Sequence, residues 1–361
     1  MDNNGNGNYI DLINDLIKGI FNDAIRASFK DPGMAAFFLK TMLWQKKAAS
    51  VRQENEESGM HVPPVMILSV TDRCNLHCAG CYAQNLPRAK EPEMSEEKLR
   101  SMLKEAKEMG ISIVVLAGGE PLVRPEIFNV TKDFPDIIFT MFTNGTLIDD
   151  KVLLQFKSQK NVIPVLSIEG YEETTDLRRG KGVYEHLQRM MAKLNEKGIF
   201  FGVSMTVTRS NYVTVAGEEF IHKLRGQGCK AFFFIEYSPV RPETEHWVLT
   251  EEQRAGLLKA MASYRERLPG VYVAFPGDEK AFGGCLSAGR GFIHVSASGN
   301  LEPCPFAPFS NTSVKNMSLK EALQSDFLRT IRENHEELME SDGGCAIWKK
   351  REWVSSLLEQ A

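Results

Sequence analysis

The sequence predicts an α/β fold built on a parallel sheet. Short apolar, strand-like runs alternate with amphipathic helical stretches through residues 65–237. Helix-ending glycines punctuate that alternation at Gly110, Gly198 and Gly226. The chain of 361 residues is 43% hydrophobic and 25% charged, which suits one barrel-sized core with an appendage.

The elements follow in order. Ile10, Ile13, Leu16, Ile17, Ile20, Phe21 and Ile25 recur at helical spacing. After Asp31-Pro32-Gly33 a second helical segment carries Phe37, Phe38, Leu39, Met42, Leu43 and Trp44, then Lys46 and Lys47. These helices read either as a pair packed on the body or as an interfacial segment touching a membrane or greasy substrate without spanning it. The polar run 53–59 reads as a linker. Strands are expected at 65–70, 111–116, 137–143, 162–168, 199–206 and 231–237, with helices at 96–109, 125–132, 149–159, 183–197 and 215–226. Ser95 is the expected N-cap of the first of these helices, with Glu96 and Glu97 in its first turn. Right-handed βα crossovers place functional residues at the carboxyl ends of the strands, whether the sheet is open and doubly wound or closes partly into a barrel. A helix at 251–267 leads to a stretch rich in glycine, proline and cysteine, with a hairpin expected across 292–300 and a polar helical run at 319–338. The expected division is 1–61 (helical extension and linker), 62–270 (βα core) and 271–361 (cysteine-bearing module and tail).

A net charge of −4 gives no basic footprint for nucleic acid. No secretory signal opens the chain, and no run approaches the ~20 apolar residues that span a bilayer. The seven cysteines are odd in number and spaced like metal ligands, so the expected setting is cytoplasmic and reducing.

Cys74, Cys78 and Cys81 form a C-x3-C-x2-C loop directly after the first strand. Three thiolates on one tight loop hold three corners of a four-iron cluster and leave one iron open. A structural zinc ion asks for four protein ligands, and His77 offers a fourth only from beside Cys78, where joint ligation is awkward. After the second strand come Gly118, Gly119, Glu120 and Pro121, whose glycines permit close backbone approach and whose carboxylate accepts from an ammonium group.

This loop and the Gly-Gly-Glu-Pro turn, in that order, resemble the radical S-adenosylmethionine (SAM) superfamily. The resemblance implies a partial (βα)6 TIM-like barrel, with a [4Fe-4S] cluster on Cys74, Cys78 and Cys81. It implies SAM bound along Gly118, Gly119, Glu120 and Pro121, with Tyr82 beside its adenine. Asn144, Ser167, Glu169, Ser204 and Thr206 would line the SAM and substrate pocket. An Arg-Gly-rich loop, Arg178-Arg179-Gly180, also matches, where a guanidinium grips a carboxylate or simply meets solvent. The implied activity is reductive cleavage of SAM and hydrogen abstraction from a substrate, with electrons from a flavodoxin- or ferredoxin-type protein.

Cys285, Cys304 and Cys345 each adjoin glycine or proline, a setting that resembles a shortened SPASM or twitch module and implies a second, auxiliary [4Fe-4S] cluster. Three isolated buried thiols are the plainer alternative. Cys229 precedes a strand of about 25 Å at ~3.3 Å per residue, so it belongs at the opposite end of the sheet. The fourth auxiliary ligand is then water, substrate or a side chain other than cysteine. The substrate expected is a peptide or protein side chain or a cofactor precursor, with a lipid as the alternative. A non-enzymatic metal-binding scaffold is the rival from another class.

Overall fold

A computed structural model describes residues 4–86, 91–275, 282–339 and 345–359. Nine strands form one sheet: β1 (Val65–Thr71), β2 (Ile113–Gly118), β3 (Ile138–Thr143), β4 (Val162–Ser167), β5 (Gly202–Val207), β6 (Ala231–Glu236), β7 (Val271–Phe275), β8 (Phe292–Val295) and β9 (Leu301–Glu302). Their order is β7-β6-β5-β4-β3-β2-β1-β8-β9, curled into an incomplete barrel. Every pairing is parallel except β8 with β9, which closes the expected hairpin. The sheet therefore has strands beyond the six read from the sequence. β7 extends it past β6, and the hairpin extends it past β1, where Ile67 sits opposite His294.

Side-chain alternation sorts the core into two layers. Met66, Leu68, Val114, Leu116, Phe139, Met141, Leu166, Val203 and Phe232 belong to one buried layer with residues of the crossover helices, such as Leu99, Leu103, Leu187 and Leu224. Ile138, Ile163, Val165, Ala231, Phe233 and Val271 face the other way and meet the N-terminal helices. Those helices are α1 (Asn4–Ala27) and α2 (Pro32–Glu57), with Asp31 capping α2 through a 3.0 Å bond from Met34 N. Ile13, Ile17 and Phe21 of α1 and Met34 and Phe38 of α2 are buried against the sheet, and Phe38 meets Phe200 edge-on at 4.9 Å. Ser112 Oγ donates to Gln45 Oε1 at 2.6 Å, and Lys160 Nζ donates to the Gly33 carbonyl at 3.2 Å. Ser112, Lys160 and Phe200 all precede strands, so the hairpin closes the amino-terminal mouth of the half-barrel. Packing on the body is the reading the structure supports.

The expected linker at 53–59 is instead mostly helix, because α2 runs to Glu57. Arg52 anchors it by donating to the Gly110 carbonyl at 2.6 Å and to Asn14 Oδ1 at 2.7 Å. The helix expected at 215–226 is broken at Gly217, whose added Cβ would come 2.8 Å from the Val213 carbonyl oxygen. Ser95 caps its helix as expected, accepting from Lys98 N at 3.3 Å.

Candidate functional site

β1 delivers the first cysteine loop. Thr71, buried at its end, accepts from Arg73 N at 3.1 Å and starts the turn that leads to Cys74. Cys74, Cys78 and Cys81 are half-buried, and none of the seven cysteines is in a disulfide. The end of β3 and the helix after β4 clasp the loop. Asn75 Nδ2 donates to Thr146 Oγ1 at 2.7 Å and Asn144 Nδ2 donates to Asn75 Oδ1 at 2.9 Å, while Ala79 N donates to the Arg178 carbonyl at 2.8 Å. Burial pushes the Cys74 and Cys78 thiols up, and Arg179 and Arg178 pull Cys78 back toward the thiolate. Among the described residues no three His, Cys, Asp or Glu side chains gather around a single-ion site. A cubane takes each thiolate on a different iron, which sets its sulfurs further apart than a single ion does.

β2 ends against this loop. Gly118 has a φ of +115°, and a Cβ there would lie 2.4 Å from the Thr71 carbonyl oxygen. A Cβ on Gly119 would lie 2.1 Å from the Arg73 carbonyl oxygen, so only glycine allows this backbone approach. Gly119 N donates to Thr71 O at 2.7 Å and Glu120 N to Arg73 O at 2.9 Å. The Glu120 carboxylate is buried and holds the end of β3, accepting from Thr143 Oγ1 at 2.7 Å, Asn144 N at 2.7 Å and Leu122 N at 3.1 Å. Burial raises its pKa against the pull of those three donors. An ionised carboxylate has about four acceptor sites, which leaves room for one more donor.

The ends of β4 and β5 carry the charged centre. Glu169, 1% exposed, accepts from Arg178 Nη1 at 2.5 Å, Arg179 Nε at 2.8 Å and Thr206 N at 3.0 Å. Arg178 Nη1 also donates to Thr206 Oγ1 at 2.9 Å, and the Ser167 and Ser204 hydroxyls lie 3.0 Å apart. Burial works against the Arg179 charge, but Glu169 and then Cys78 outweigh it and raise its pKa. Arg178 Nε is buried with no acceptor, a donor that suits an anionic ligand group. Tyr82 lies against Phe306 of the C-terminal module, ring centroids 4.8 Å apart.

In that module Cys285 and Cys304 are buried and Cys345 is half-buried. Ala288 N donates to the Pro303 carbonyl at 2.9 Å, tying the Cys285 turn to the residue before Cys304. Gly343 and Gly344, which precede Cys345, lie outside the described residues. Cys229 sits before β6 with its thiol pushed up to about 12 by burial, at the opposite end of the sheet from Cys74, Cys78 and Cys81. A polar cavity of about 450 Å³ opens between Asp72, two residues before Cys74, and Glu302, two residues before Cys304, with Ser296, Asn300 and Ser310 in its wall.

The sequence reading did not find Asn75 or Asn211, which clamp the site from loops; Asn211 Nδ2 donates to the Glu169 carbonyl at 3.0 Å. Nor did it find the buried chain at the β1–β8 seam. There Ser69 Oγ lies 2.9 Å from His294 Nε2, and His294 Nδ1 lies 2.7 Å from Glu302 Oε2. Only strand pairing across more than 220 residues brings these groups together.

Residues 68–229 match the family model of the radical SAM superfamily. The AdoMet-dependent heme synthase of Methanosarcina barkeri is 25% identical over 316 residues, covering 80% of this chain and 90% of that protein. The subtilosin biosynthesis protein AlbA of Bacillus subtilis is 28% identical over 248 residues, covering 66% of this chain and 54% of that protein. In fold, the chain resembles Streptococcus suis SuiB bound to its precursor peptide SuiA, with a TM-score of 0.62 and 17% identity over 79% of this chain and 69% of SuiB. Cysteine loop, glycine turn and family match agree: the chain is an enzyme of the radical SAM superfamily.

Proposed function

We propose that Cys74, Cys78 and Cys81 hold a [4Fe-4S] cluster, that Cys285, Cys304 and Cys345 hold an auxiliary one, and that the substrate is a peptide or a cofactor precursor. The observation that carries this reading is the glycine backbone of β2 pressed against the first cysteine loop, with Arg178 Nε aimed nowhere within the protein. When bound, cluster and SAM supply a 5′-deoxyadenosyl radical on receipt of one electron, here from a flavodoxin- or ferredoxin-type donor.

The chain's own residues then bind, orient and exclude water. Gly118 and Gly119 admit SAM's methionine part, and Glu120 fixes the β2 end against β3. Glu169 locks the guanidinium planes of Arg178 and Arg179, leaving Arg178 Nε to a ligand carboxylate. Ser167, Ser204 and Thr206 offer hydroxyls beside them, Asn144 ties the loop, and Tyr82 closes the side facing the auxiliary module. The α1–α2 hairpin seals the opposite mouth from water.

The cavity beside Asp72 and Glu302 is walled mainly by carboxylates, amides and hydroxyls, which suits a polar substrate and not an acyl chain. Relatives support both polar classes: a heme synthase, and a protein of bacteriocin biosynthesis. Anaerobic reconstitution tests the reading. About eight irons per chain and dithionite-dependent release of 5′-deoxyadenosine from SAM are expected. Tightly bound zinc without SAM cleavage would leave a metal-binding scaffold instead.

A further inference from the structure

The turn that carries Cys285 has one unexplained atom. Ser287 is 1% exposed, and its Oγ has no hydrogen-bond partner. Everything around that hydroxyl is held. The Cys285 carbonyl accepts from Arg290 Nη1 at 2.8 Å and the Leu286 carbonyl from Gly291 N at 2.8 Å. The Ser287 carbonyl accepts from Arg290 N at 3.1 Å and the Ala288 carbonyl from Arg332 Nη1 at 3.0 Å. Ala288, with φ of 56°, is the one non-glycine residue in the left-handed region among the described residues. An added Cβ on Gly284 would come 2.6 Å from the His335 carbonyl oxygen, so the turn is also pressed from behind.

A backbone held this tightly in a costly conformation does not leave a buried hydroxyl unpaired by slack. Its position supplies a partner. Ser287 follows Cys285 by two residues, and the next residue, Ala288, is bonded to the carbonyl of Pro303, the neighbour of Cys304. The surroundings also suit an anion, since Arg290 is buried in the turn and Arg332 reaches it from the helix at Asp326–Glu333.

We infer that Ser287 Oγ–H is a hydrogen-bond donor to the sulfur-rich anionic group held by Cys285, Cys304 and Cys345. The inference rests on the auxiliary-cluster reading and deepens it by assigning a residue that tunes the cluster. A donor on cluster sulfur stabilises the more negative, reduced state and so raises the reduction potential. Without the cluster the same hydroxyl is a buried orphan, and removing it relieves the fold.

The experiment compares wild type, Ser287→Ala and Ser287→Thr, each as apoprotein and after anaerobic iron–sulfur reconstitution. Ser287→Ala is expected to keep its iron, to lower the potential of the second cluster in an EPR-monitored redox titration, and to raise the apoprotein's Tm. Ser287→Thr, which keeps the donor, is expected to restore the wild-type potential. Full iron content with an unchanged potential in Ser287→Ala overturns the role of Ser287 while leaving the cluster in place. A wild-type protein holding only about four irons removes the auxiliary cluster itself, and the inference with it.

Discussion

Two residues decide whether the site can form at all. Gly119 lets β2 lie on the lead into the first cysteine loop, and any Cβ there meets backbone, which has nowhere to yield. Gly119→Ala is expected to destabilise the fold by about 1–3 kcal/mol and to weaken SAM binding at least tenfold, as measured by chemical denaturation and calorimetry. Unchanged affinity would show that the β2 end is not where SAM's backbone contacts lie. Glu169 is the second, a buried carboxylate that neutralises two arginines at once. Glu169→Gln leaves Arg178 and Arg179 without a counter-charge, and a loss of up to about 3–5 kcal/mol in urea unfolding is expected. The glycine requirement was legible in the sequence as a motif, and so was Glu169. That the arginines answer Glu169 was not, because the loop at 177–182 reads equally as a solvated basic turn until tertiary structure buries it.

At the level of elements, the strands and their functional carboxyl ends were legible from apolar runs alone. β7 and β8 were not assigned to the core sheet, since β8 joins β1 across more than 200 residues and periodicity carries no pairing information over that range. The linker expected at 53–59 is helix because Arg52 and Asn55 bind backbone carbonyls at Gly110 and Met109, partners that only the folded chain supplies. The α1–α2 hairpin illustrates the same limit. Its apolar stripe fits a membrane surface or a protein core, and packing against Ile163, Phe200 and Phe233 decides for the core. Phe38, 1% exposed, is the keystone. Phe38→Ala is expected to lower stability by about 3–5 kcal/mol, and deletion of residues 1–57 to expose the inner sheet face and cause aggregation. A truncated chain that stays monomeric by light scattering would contradict the plug.

Across the whole molecule, β1–β8 pairing, the Ser69–His294–Glu302 chain and the Tyr82–Phe306 contact join the half-barrel to the C-terminal segment that carries Cys285 and Cys304. In the function proposed, the two cysteine sets do different work: the first makes the radical, and the second serves the substrate. One comparison tests that division. A Cys74→Ala, Cys78→Ala, Cys81→Ala variant and a Cys285→Ala, Cys304→Ala, Cys345→Ala variant are reconstituted anaerobically and assayed for iron and for 5′-deoxyadenosine released from SAM. Each is expected to lose about half the iron, with SAM cleavage abolished in the first and retained in the second. SAM cleavage that survives loss of Cys74, Cys78 and Cys81 would contradict the account at its centre.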